Sequence, residues 1–188
     1  EGWNNWTLYC NDSLNNLEIS LVKFIVHMLP PNASLIFPLN NSYNSTTTQN
    51  MTVNASDIVG LDNVTLYIFN STDSLINMTS IEAIGTRSIL GIIYTFLYDG
   101  VFKWFYKIVD LAGYEFNTGN FTITIDTIYP QVSLVYPLSQ NYTYNVSQLN
   151  YSYFDVNPAQ CWWSNSSGLW NSTGNTAGNN FSGIRSIE

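Results

Sequence analysis

Apolar and polar residues alternate with period two along most of this chain. In KWFYKIV, Trp104, Tyr106 and Ile108 fall on one side and Lys103, Phe105 and Lys107 on the other, as in a strand buried on one face. NFTITID does the same, with Phe121, Ile123 and Ile125 set against Thr122, Thr124 and Asp126. The segment between them, DLAGYEFNTG, is rich in turn formers, so the pair predicts an antiparallel hairpin. Further strands are predicted at SLIFP, NMTVNAS, NVTLYIF, SLINMTS and RSILGIIYTFLY, each bounded by Asn, Asp, Gly, Ser or Thr. The longest apolar runs, SILGIIYTFLY and LVKFIVHML, fall short of the roughly 18 residues a membrane helix needs and read as strands. Helical periodicity is weak throughout.

Seven short strands between residues 31 and 128 predict an all-β, immunoglobulin-like sandwich. The pattern then recurs. PPNASLIFPLNNSYN matches YPQVSLVYPLSQNYT, with Pro31 on Pro130, Ser34 on Ser133 and Pro38 on Pro137. Met51, Val53 and Ala55 fall on Leu149, Tyr151 and Tyr153. DGVFKWFYKIVD matches EGWNNWTLYCND at the very start, placing Trp104 on Trp6, Tyr106 on Leu8 and Ile108 on Cys10. A shift of about 98 residues in a chain of 188 implies two copies of one module. One copy, residues 30–129, is complete. The other is split: residues 130–188 supply its first five strands and residues 1–29 its last two. A sandwich lacking two strands exposes an apolar face and unpaired strand edges, which recruit complementary strands. Three closures are open: back onto the same chain, onto a neighbouring copy, or along a longer tandem-repeat chain. The strand core expected to be delivered comprises Trp6, Leu8, Cys10, Ile19 and Leu21.

Composition places the molecule outside the cell. Charged residues make up only 10% of the chain, so neutral polar groups must keep it in solution. Sequons occur at Asn5, Asn11, Asn32, Asn40, Asn44, Asn50, Asn54, Asn63, Asn70, Asn77, Asn120, Asn141, Asn145, Asn150, Asn165, Asn171 and Asn180. That density points to N-linked glycans and an extracellular or cell-surface setting. With net charge −8 and only Lys23, Arg87, Lys103, Lys107 and Arg185 as basic residues, nucleic acid is excluded as a partner class. Cys10 and Cys161 suit the same compartment, either as one disulfide or as two free thiols. Cys10 lies on the sixth strand and Cys161 on the third, neighbours in one sheet of such a sandwich, where a bridge between opposed residues is allowed. In the complete module Leu66 and Ile108 stand near those positions. If the subunits are separate chains, the bond locks each to the next.

The motif set DG…W…D..G, its partner W.LYC.D, the following Thr/Ile strand and the Pro-led restart resemble the tandem immunoglobulin-like repeats of archaeal cell-surface proteins. The resemblance covers nearly the whole chain and marks a fold rather than an activity. It implies a surface stalk, adhesin, envelope layer or extracellular filament.

Little argues for catalysis. His27 is the sole histidine and sits in the apolar run FIVHML, where a core or interfacial role is expected. Asp99, Asp110, Asp126 and Asp155 fall at strand ends and turns, the usual place for turn capping. No metal motif or Gly-x-Ser-x-Gly element is present, so neither enzyme nor cofactor is expected; calcium at a module junction is the alternative, although no Asp-x-Asp-x-Asp loop occurs. Trp162, Trp163 and Trp170 offer sugar-stacking rings, which makes a glycan-binding adhesin the second reading. The first is a structural subunit of a glycosylated filament or surface array, partnered by copies of itself head to tail.

Overall fold

The computed structural model describes residues 2–164 and 171–184, and among them the chain is all-β, with no helix. No described helix is therefore long and apolar enough to cross a membrane. The chain divides into two compact units, one ending at Ile125 and the other beginning at Asp126.

In the first unit, β1 (Gly2–Asn11) and β2 (Leu17–Val26) form a two-stranded antiparallel ribbon. The strands β3 (Asn32–Phe37), β4 (Ser42–Asn44), β5 (Thr48–Ser56), β6 (Leu61–Asn70), β7 (Leu75–Glu82), β8 (Arg87–Thr95), β9 (Gly100–Asp110), β10 (Glu115–Asn117) and β11 (Phe121–Ile125) then build two sheets. One has the order β3–β5–β8. The other has the order β4–β11–β9–β6–β7, with β10 also on β9. The predicted strands all form. The short β4 and β10 add to them: β4 runs parallel to β11, and β10 precedes β11 along β9.

The alternation seen in the sequence becomes the core. Met51, Val53 and Ala55 of β5 face Val64, Leu66 and Ile68 of β6 and Phe102, Trp104, Tyr106 and Ile108 of β9, all essentially buried. The two sheets thus pack face to face, as layered all-β domains do. Lys103 and Lys107 point the other way and pair with Asp73 and Glu115 at 2.7 and 2.6 Å. One polar contact crosses the core: the Tyr106 hydroxyl donates to the Met51 carbonyl at 2.8 Å, while burial pushes the Tyr106 phenol well above its ordinary pKa.

In the second unit β12 (Gln131–Tyr136), β13 (Gln148–Phe154) and β16 (Phe181–Ser182) form one sheet, and β14 (Gln160–Cys161) pairs with β15 (Asn175–Thr176). Its registers repeat those of the first unit. Val132 opposite Tyr153 and Leu134 opposite Tyr151 match Ala33 opposite Ala55 and Leu35 opposite Val53, with a bulge after Leu134 as after Leu35. Leu149 opposite Phe181 likewise matches Met51 opposite Ile92.

Replacing Tyr106 with Phe should lower the stability of the first unit by about 1–3 kcal/mol, because it strands a buried carbonyl. Urea unfolding checks this, and an unchanged midpoint would show that the cross-core bond contributes nothing.

Candidate assembly interface

The β1–β2 ribbon repeats β9 and its following strand in detail. Asp12 Oδ1 accepts from the amides of Leu14 and Asn16 at 2.8 and 2.9 Å. Asp110 Oδ1 accepts from Ala112 and Tyr114 at the same two distances. Both turns also close through backbone bonds, Asn15 to Asp12 and Gly113 to Asp110. The residue making that bond is left-handed in each, Asn15 at φ 66 and Gly113 at φ 86, a conformation that Asn and Gly tolerate best. Gly2 and Gly100, which open the two first strands, share φ values of 153 and 156.

What differs is cover. Trp104 is 0% exposed whereas Trp6, at its repeat position, is 69% exposed, and Leu8 is 64% exposed. Among the described strands β1 pairs with β2 alone, while β9 lies between β11 and β6. The register also redistributes the expected strand core. Trp6 stands opposite Val22, Asn4 opposite Phe24 and Gly2 opposite Val26, whereas Ile19 faces Tyr9 and Leu21 faces Thr7. Directly opposed residues share a face, so Ile19 and Leu21 lie on the face away from Trp6, Leu8 and Cys10. Val22, Phe24 and Val26 take their place, matching Phe121, Ile123 and Ile125 opposite Trp104, Phe102 and Gly100.

The second unit shows the reciprocal deficit. Its sheet face that corresponds to the core face of β3 and β5 stays open: Val132 and Leu134 are 55% and 66% exposed. They line a cavity of about 450 Å³ together with Leu149, Tyr151, Cys161 and Phe181. β14 has β15 on one edge and no described strand on the other, whereas its counterpart β6 is paired on both sides.

The ribbon is tied to the complete sandwich by His27. Its Nε2 lies 3.0 Å from Asp110 Oδ2 and 3.5 Å from Asp57 Oδ2, with all three side chains at most 5% exposed. Each carboxylate also caps a turn through its other oxygen, Asp57 accepting from Val59 at 2.8 Å. Asp126 and Asp155 cap turns in the same way, through the amides of Ile128 and Asn157. One ligand atom from each of His27, Asp57 and Asp110 lies within 4.8 Å of the others, so the imidazole and two carboxylates meet at one point. No sequence motif announces this cluster, because its members are dispersed over the chain and only the fold brings them together.

Among the described sequons none is buried. Asn5, Asn11, Asn32, Asn40, Asn50, Asn120, Asn141, Asn145, Asn171 and Asn180 are exposed, and Asn44, Asn54, Asn63, Asn70, Asn77 and Asn150 are half-buried. Asn165 and Trp170 lie outside the described residues. Trp162 is 61% exposed and Trp163 is half-buried. Cys10 and Cys161 are both free thiols, so no disulfide joins them within the chain. Neither the protein-family models nor the curated proteins compared with the chain give a match.

Changing His27 to Ala should destabilise the first unit by about 1–3 kcal/mol, since two adjoining buried carboxylates lose the imidazole that contacts both. Adding Asp57→Asn should recover part of that loss in denaturant unfolding; no recovery would show that charge is not the cause. In the ribbon, the hydrogen bonds from the Asn16 side chain and from the Asn16 and Leu14 amides hold Asp12 below the ordinary aspartate pKa of 3.8. The folded pKa is depressed, so the turn keeps this contribution above 3.8 and loses it only as pH falls through the lower folded value. An NMR titration should place the Asp12 midpoint below 3.8; a midpoint at or above it would contradict the turn geometry.

Proposed function

We propose that this chain is a structural subunit of a glycosylated extracellular filament or cell-surface array, built of immunoglobulin-like sandwiches and non-enzymatic. Subunits join head to tail by strand complementation, or the chain is one period of a longer tandem-repeat polypeptide and the same strands complete successive modules within it.

One observation carries this reading. The ribbon reproduces the β9 hairpin down to its turn hydrogen bonds yet leaves Trp6 and Leu8 exposed, and the second unit repeats the β3–β5–β8 sheet and the β6–β7 pair yet has no described strand in the place of β9. Each half has what the other lacks. Docking the ribbon would pair the open edge of β14 and put Trp6 and Leu8 into an apolar interior, a gain from both backbone pairing and area burial. Between copies the donated strands and the accepting face are different surfaces, so the contact is heterologous and extends head to tail unless its rotation closes a ring. The accessible sequons and the scarcity of charge support a glycan-solvated surface, and the sequence resemblance to archaeal surface repeats points the same way.

A glycan-binding adhesin is the second reading, favoured by the exposed Trp162 ring. Quenching of its fluorescence by added oligosaccharide would support it.

Trp6→Ala should weaken assembly of the 188-residue chain by about 100-fold or more, the size expected when roughly 3–5 kcal/mol of buried aromatic packing is lost. The sandwich around Trp104 should keep its near-ultraviolet circular dichroism. Sedimentation velocity over a concentration series measures the first effect, and unaltered assembly would count against complementation.

A further inference from the structure

We infer that Cys10 of one copy and Cys161 of the next form a disulfide across the completed sheet, directly opposite one another, making the head-to-tail joint a covalent bond between chains. The inference rests on the complementation reading above.

The positions come from the registers. In the complete sandwich Asn63 faces Glu82, Val64 faces Ile81, and the Ala83 amide donates to the Asp62 carbonyl. In the second unit Gln160 faces Thr176, Cys161 faces Asn175, and the Ala177 amide donates to the Ala159 carbonyl. Three consecutive contacts therefore set Cys161 in the place of Val64. On the donor side, the matched turns of Asp12 and Asp110 set Cys10 in the place of Ile108. Val64 and Ile108 are Cα partners on neighbouring antiparallel strands, and both are 0% exposed. Opposed residues at such a position stand within the Cα separation that a disulfide spans.

The environment of Cys161 agrees. It lines the open apolar cavity of the second unit and sits beside Tyr151, whose hydroxyl accepts the Gly178 amide at 3.1 Å. Burial, then the hydrogen bond with Cys161, raises the Tyr151 pKa. The thiol therefore faces the space that a donated strand would fill. Cys10 shares its ribbon face with Trp6 and Leu8, the residues that would enter there.

In the coupling, two thiols give one S–S bond and release two protons and two electrons. The electrons pass to an external disulfide by thiol–disulfide exchange, reducing it to two thiols. Burial of the product between two sheets would then shield it from reductants.

The test is a non-reducing denaturing gel of the 188-residue chain assembled in the presence of oxidised glutathione. A ladder at multiples of about 21 kDa that collapses to one band on reduction is expected. Either Cys10→Ser or Cys161→Ser alone should abolish the ladder, and mixing the two variants should give covalent dimers and nothing larger. A ladder surviving in either single variant would mean like-with-like pairing and would overturn the inference. Particles that form natively yet fall to monomers in detergent without reductant would overturn the bond and leave complementation standing. Absence of any native particle would overturn both. The register is checked independently of assembly: Val64→Cys with Ile108→Cys, in a chain carrying both serine replacements, should lose two titratable thiols on oxidation. Retention of both thiols would remove the geometric basis.

Discussion

A strand that alternates large apolar and polar residues must have an apolar layer to lie against, and the chain satisfies that demand once and leaves it unmet twice. β9 meets it: Phe102, Trp104, Tyr106 and Ile108 are enclosed because β5 presents Met51, Val53 and Ala55 across the interior and β6 and β11 pair both edges. β1 carries the same alternation into solvent, and β12 and β13 hold out the matching opposite layer. Exposed apolar area of this kind on a folded chain is a standing drive toward association, at roughly 25 cal/mol for each Å² removed from water. The direction of that drive is set by the strand edges, because backbone donors and acceptors on β1 and β14 need partners at strand spacing. Apolar area supplies the energy and the ladder supplies the register.

Much of this was legible in the sequence because period-two patterning reports directly on which side of a strand is covered. The hairpin joining KWFYKIV to NFTITID, the burial of Trp104, Tyr106 and Ile108, and the recurrence of the pattern all follow from residue types alone. Where the reading slipped, a local feature shifted the register. LEISLVKFIV is apolar on both faces, so nothing in its own pattern says whether Ile19 and Leu21 or Val22 and Phe24 accompany Trp6. The turn at Asp12 decides it. Likewise Ile108 faces Val64, and Leu66 faces Tyr106 two residues away on the same sheet face, so period-two patterning marks both as inward without saying which of them is the direct partner.

The His27 group was illegible for a different reason. Its three members are spread across the first unit, one at the end of the ribbon, one in the turn after β5 and one at the end of β9, and each alone reads as an ordinary residue. Together they show how the ribbon is held where it leaves the complete sandwich. A buried imidazole between two carboxylates that are themselves committed to turns has few alternative placements. The exit point of the chain is thereby fixed while the ribbon beyond it stays uncovered, a division between an anchored base and an open strand pair.

The placement of sulfur follows from the same division. Inside the complete sandwich the corresponding pair on β6 and β9 is Val64 and Ile108, which packing holds together because both belong to one continuous chain. At the two positions proposed to meet when the second sheet is completed, both residues are cysteine. The two situations differ thermodynamically. Docking a strand supplied by another molecule forfeits translational and rotational freedom, a cost of about 4–15 kcal/mol that a continuous chain never meets. In a linear array, moreover, every joint must hold for the whole to hold. A bond across the joint removes the dissociated state from the accessible set, so the length of the array ceases to depend on subunit concentration. On the proposed complementation, cysteine belongs where a sheet is completed from outside and aliphatic residues where it is completed from within.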